Sequence, residues 1–192
     1  MKSPTARSGE NEAEPHRLTH IDEHGRARMV DVTAKPLTRR VAVARCVVAT
    51  SADIAQVLRE APDGMDIVEA ARFAGIQGAK QTSSLIPLCH PIRVDRVAVD
   101  VTVHPHRIDV EATAEIVERT GVEMEALTAC AIAAATLVKA LIAVDPEVSI
   151  EDLTLWHKSG GRSGDWIRNS QADRLTRSPV PPVLPHATHS GA

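Results

Sequence analysis

The 192-residue chain contains no tyrosine, one phenylalanine (Phe73) and two tryptophans (Trp156, Trp166). A core built on stacked rings is excluded, and Val, Ile, Leu and Ala are left to fill the interior. Cysteine is nearly as scarce. Cys46, Cys89 and Cys130 stand far apart with no CxxC pair, so buried thiols in a reduced compartment are expected. Net charge is −3 with the histidines neutral, so no global field attracts nucleic acid or an anionic membrane, and any phosphate site has to be local. The apolar stretch 129–144 falls short of the ~20 residues that span a bilayer and contains Lys139. Residues 1–17 lack the apolar centre of a secretory signal. A soluble, cytoplasmic protein without membrane or nucleic-acid partners is expected.

Residues 1–17 and 169–192 are polar or proline-rich without apolar periodicity, which predicts two disordered tails around one domain at 18–168. His186 and His189 fall in the second tail, and no metal site is expected. Within the domain, 40–50 (RVAVARCVVAT) is apolar on both faces, as in a strand covered on two sides. Segments 52–60 and 66–79 have helical spacing and are separated by Pro62, Asp63 and Gly64. Segments 97–103 and 107–116 alternate cleanly, predicting an antiparallel hairpin that turns at 104–107 and places His104 and His106 in the turn. Thr120 and Glu123 match a capping box opening a helix that ends near Val144, where Asp145-Pro146 stops it. A last strand near 149–157 alternates imperfectly. Strand, helices, two strands, helix and strand in that order give an α+β ferredoxin-like sandwich, an antiparallel sheet with helices on one face.

Three segments carry chemistry. In KQTSSLIPLCHPI (80–92), Pro87 and Pro91 flank Cys89-His90, predicting a fixed extended loop that holds His90 in place. In TGVEMEAL (120–127), Glu123 serves the expected cap, while Glu125 has no role beyond the favourable dipole of the first turn. In HKSGGRSG (157–164), small residues between cations suit a phosphate, although the P-loop pattern is absent. One charge, Lys139, interrupts AIAAATLVKALIAV (131–144).

Jointly, MVDVTAKPLTRR (29–40), GIQGAKQTSSLIPLCHPI (75–92), GVEMEAL (121–127) and KSGGRSG (158–164) resemble, in order, the signature blocks of the MoaC family. These are the cyclic pyranopterin monophosphate synthases of molybdenum cofactor biosynthesis. The resemblance implies a ferredoxin-like fold and hexamers built as trimers of dimers, with active sites at the dimer interface. It also implies a reaction that converts 3′,8-cyclo-GTP to cyclic pyranopterin monophosphate and pyrophosphate without a redox cofactor. By position, Leu88, Cys89, His90, Met124 and Glu125 match the family's substrate contacts, and Glu123 matches a site carboxylate. Lys35, Arg40, Lys80 and Lys158 match its basic residues and are expected at the phosphates or orienting the base.

The departures lie in the catalytic set. The family carries Asp-x-x-Lys near the end of its long helix, and ungapped matching from GVEMEAL puts Lys139 and Ile142 there. A further lysine of the family, which opens a K-G-D segment, is matched by Gly64. The resemblance therefore leaves Lys139, His90, Glu125 and Glu123 as candidate proton carriers. It also leaves open an enzyme retooled for a related purine nucleotide, or an inactive binding or regulatory homologue.

Overall fold

Alternation at 97–116 becomes two strands, β2 (Arg96–His104) and β3 (Arg107–Glu118), joined by a tight turn at Pro105-His106. β3 also pairs with β1 (Thr38–Ala49), which pairs in turn with β4 (Ser149–Ser159), and the short β5 (Trp166–Ile167) closes the far edge. The order β2-β3-β1-β4-β5, antiparallel throughout, is the ferredoxin-like arrangement with one added strand. The helices are α1 (Ile54–Glu60), α2 (Gly64–Lys80), the single turn α3 (Thr82–Leu85) and α4 (Glu123–Leu141). These elements come from a computed structural model that describes residues 20–61 and 64–169. The expected tails, Asn169 apart, and the Pro62-Asp63 break lie outside the described residues.

The core forms where α2 and α4 pack on one face of the sheet. Ala42, Ala44, Cys46 and Val48 of β1 and Ile108, Val110, Ala112, Ala114 and Ile116 of β3 meet Ala126, Ala129, Cys130, Ala133, Ala134 and Leu137 of α4. Each fully buried Val, Leu or Ile contributes roughly 1.5–3 kcal/mol. Aromatic rings take no part: Phe73 is 63% exposed and Trp166 40%. Alanine and glycine let the backbones approach closely, since a Cβ on Gly75 would lie 2.8 Å from the Ala129 carbonyl oxygen. α4 is long and apolar enough to cross a membrane by length and composition, but its apolar side is packed against the sheet.

Two expectations are corrected here, and the imperfect alternation of the last strand is explained. β1 is buried by helices on one face only; on the other, Val41, Val43 and Val47 are half-buried among Arg39 and Arg45. There the arginines pair across strands, Arg39 with Glu115 at 2.7 Å and Arg45 with Glu111 at 2.5 Å. His104 belongs to β2 and bonds Asp109 at 3.0 Å, leaving His106 in the turn. The imperfect alternation of β4 reflects register shifts against β1 and a left-handed Asp152 (φ +51°), where an irregular ladder turns consecutive side chains off the regular pattern.

Behind α4, Asp145 holds the domain together. Its carboxylate accepts from the Ser51 amide (2.6 Å) and hydroxyl (2.8 Å), from the Ala52 amide (3.2 Å) and from the Glu147 amide (3.1 Å). One carboxylate thus fastens the end of α4 to the loop after β1.

Candidate active site

The predicted capping box does not form. α4 begins at Glu123 with Val122 as its N-cap and no side-chain cap bond, so Thr120 lies before the helix and Glu123 is its first residue. Glu123 turns instead to Lys158 of β4, with Nζ and Oε1 3.4 Å apart. The first helical bond runs from the Ala126 amide to the Val122 carbonyl at 3.2 Å, so the amides of the first turn have no helical acceptor behind them.

Glu125 is 3% exposed although it follows Glu123 by two residues. Burial raises its pKa from 4.5 to about 7; its own backbone amide opposes the rise and the charge of Glu123 adds to it. It therefore exchanges a proton near neutrality, as an acid–base catalyst must. Cys89 lies within its field: burial, and then the negative charge of Glu125, raise the thiol's pKa. A disfavoured thiolate argues against Cys89 as a nucleophile.

The loop that delivers Cys89 departs from the fully extended form expected for 80–92. Residues 82–85 make the turn α3, in which the Thr82 hydroxyl donates to Ala79 O at 2.9 Å. Pro87 and Pro91 fix the extended remainder. Leu88 is held at φ +66°, a conformation rare for a branched residue. His90 then reaches Val30, with Nε2 2.9 Å from the carbonyl oxygen. A carbonyl only accepts, so Nε2 carries the proton of the neutral ring and Nδ1 is left as the basic nitrogen.

His90 also lines an open groove of about 560 Å³ walled by residues 29–33 and 118–120. Lys35 and Arg40 stand behind this wall. The Lys35 amide donates to Val32 O at 3.0 Å, while Arg40 donates from Nε to Glu118 O (3.1 Å) and from Nη2 to Arg119 O (3.2 Å). Lys80 is exposed at the end of α2, and Met124 is 37% exposed at the start of α4.

In the glycine-rich loop, the Gly160 amide donates to the Asp165 carboxylate at 3.2 Å and the Gly164 amide to Gly161 O at 3.3 Å. Lys158 is accordingly the residue of this stretch that reaches α4. Gly160 is obligatory: its φ is +84° and a Cβ would collide with the Arg39 carbonyl oxygen.

The fold thus gathers Glu123, Glu125, Cys89 and Lys158 at one end of α4, with His90 tied to the neighbouring 29–33 loop. Lys139 is not among them. It is exposed 14 residues beyond Glu125, ~21 Å along the continuous helix at 1.5 Å per residue. Sequence reasoning missed Arg119, Asp31 and Thr33 as groove residues. The MVDVT stretch held the available signal for the last two. Among the described residues no three of His, Cys, Asp or Glu are grouped to hold a metal ion.

A family model described as the MoaC family matches residues 29–161. The cyclic pyranopterin monophosphate synthase of Thermomicrobium roseum is 50% identical over 164 residues, covering 83% of this chain and 98% of that protein. Its Streptomyces coelicolor counterpart is 46% identical over 171 residues, covering 88% and 100%. Cyclic pyranopterin monophosphate synthase 2 of Mycobacterium tuberculosis is 47% identical over 163 residues, covering 84% and 97%.

Proposed function

The chain belongs to the MoaC family, and on that premise we propose that it acts in molybdenum cofactor biosynthesis as a lyase of the cyclic pyranopterin monophosphate synthase type. Its substrate is then 3′,8-cyclo-GTP and its products cyclic pyranopterin monophosphate and pyrophosphate. The observation that carries this reading is Glu125, a buried carboxylic acid with a pKa near 7 beside Cys89. Opening and re-closing rings demands a group that both gives and takes protons at working pH. His90, its ring held at Nε2 by Val30, presents Nδ1 as a further polar atom of the site. Lys158, paired with Glu123, and Lys35, whose carbonyl is held by Arg119, are the cations that neutralise phosphate charge.

A further proton carrier is Lys139. Its distance from Glu125 along α4 supports a role in the site of a partner subunit, where two copies contribute opposite ends of the helix. The protein is then an assembly of dimers, and it works in the cytoplasm as a soluble biosynthetic enzyme. A second reading is favoured by the residues themselves: with Lys139, Ile142 and Gly64 where the family has Asp and two Lys, the site is a retooled one that binds a related purine nucleotide, or binds without turnover.

Incubating the purified full-length chain with 3′,8-cyclo-GTP separates the two. Formation of cyclic pyranopterin monophosphate with one equivalent of pyrophosphate is expected. Tight binding without product would replace it with the second reading, and absence of both would remove the nucleotide from the site.

A further inference from the structure

Two arginines meet at the wall of the groove, and their donors are used differently. Arg40 directs Nε and Nη2 at the carbonyls of Glu118 and Arg119, so it props the segment between β3 and α4. Arg119 lines the groove and is half-buried. Its Nε donates to the Lys35 carbonyl at 3.1 Å, while its two Nη groups meet no protein acceptor among the described residues. The acids beside it are turned elsewhere. Asp31 accepts from the amide and hydroxyl of Thr33, and Glu118 accepts from the Arg119 amide at 2.7 Å. A guanidinium tethered by Nε has already lost much of its side-chain freedom, and its remaining nitrogens form the fork that fits two oxygens of one phosphate.

We propose that Arg119 is a phosphate-binding residue of this site, which grips the terminal phosphates of the nucleotide in the groove and holds Lys35 beside them. The assignment of those phosphates to a nucleotide rests on the function proposed above; the anion-binding role of Arg119 does not. The bond to Lys35 O makes one tether serve two cations, because losing Arg119 also frees the backbone that carries Lys35.

Equilibrium binding at fixed ionic strength tests this on the full chain, with inorganic pyrophosphate, 3′,8-cyclo-GTP and the phosphate-free 3′,8-cyclo-guanosine as probes. Arg119→Ala is expected to weaken both phosphate-bearing probes tenfold or more and to leave the nucleoside unchanged. Arg119→Lys, which keeps charge but loses the fork, falls between and serves as the comparison if the alanine variant is poorly folded. Equal weakening of all probes would make Arg119 merely structural, and wild-type affinity in both variants would remove it from the site; either overturns the proposal. A wild-type protein that binds pyrophosphate through Arg119 but ignores the nucleotide would keep the proposal and overturn the nucleotide reading. Tight nucleotide binding indifferent to Arg119 would do the reverse, and failure of the wild type to bind any phosphate-bearing probe would overturn both.

Discussion

Replacing Glu125 with glutamine removes a carboxylate whose ionisation the fold opposes, so the variant's stability relative to the parent must change with pH. The sign comes from linkage. Between 4.5, the ordinary glutamate value, and about 7, its value in the fold, the native state binds more protons than the unfolded chain, so stability falls as pH rises. At about 1.36 kcal/mol for each pH unit crossed, the penalty is about 1.4 kcal/mol at pH 5.5, about 3 at pH 7 and little more above it. It vanishes well below pH 4.5, where both states are protonated. Glutamine keeps the shape of the neutral acid and carries none of this penalty. Urea denaturation of parent and Glu125→Gln from pH 4 to 8 should therefore give similar midpoints at pH 4 and a variant progressively more stable towards pH 8. A gap that stays constant with pH would show that the carboxylate ionises as if in water, and the acid–base role proposed for Glu125 would fall with it. Turnover should move oppositely, with the stabilised variant losing the proton-transfer function.

Asp145 gives the converse case. Its pKa is held below the ordinary 3.8, chiefly by the Ser51 hydroxyl, so its contribution is present above that value and lost as pH falls through the lower folded value. Asp145→Asn should reduce the thermal midpoint at pH 7, with the deficit closing in strong acid; a deficit that persists there would refute the linkage. Of the three thiols, Cys46 and Cys130 are buried and Cys89 half-buried. A colorimetric disulfide reagent should thus titrate one thiol in the native protein, slowly at pH 7, and three after denaturation. Gly75→Ala should destabilise by roughly 1–3 kcal/mol through overpacking against Ala129, read as a lower urea midpoint. If sites are shared between subunits, inactive Glu125→Gln and Lys139→Ala proteins refolded together should recover about a quarter of parental turnover of 3′,8-cyclo-GTP, because half the random dimers hold one intact site of two. No recovery in mixed dimers would place both residues in one subunit's site or Lys139 outside it.

The hairpin at 96–118 was legible because charged residues on one face and aliphatic ones on the other leave a single register that buries the right side. The aliphatic core followed from having almost no rings to place. The start of α4 was not legible, since T-x-x-E is a local pattern and Glu123 is claimed by Lys158, 35 residues further along. The α3 turn was hidden by prolines that lie just after it, at 87 and 91, and restrict only their own surroundings. Glu125 was named a candidate proton carrier by the resemblance, but its burial was not legible, because nothing in GVEMEAL shows that Cys89 comes to lie beside it. Arg119 carried no signal in the sequence, since its role depends on where the Lys35 carbonyl lies.

α4 joins these observations. Its centre is alanine and leucine packed on the sheet, a rigid spacer whose ends cannot approach each other. One end holds the buried Glu125, and the other presents Lys139 in the open beside Ile142, which is 53% exposed. An exposed leucine or isoleucine alone needs no explanation, and an exposed lysine next to it can keep its head in water. Both stand, however, where the resemblance places a catalytic pair, on an end of the helix that reaches no other candidate residue of its own chain. On the proposed reading, in which two subunits share a site, the two ends act as separate halves and the chemistry of Glu125 does not depend on what stands at residues 139 and 142 of its own chain. Under the proposed sharing of sites between subunits, changes at residues 139 and 142 would alter the contribution made to a neighbouring site while leaving intact the contacts each chain would provide for itself.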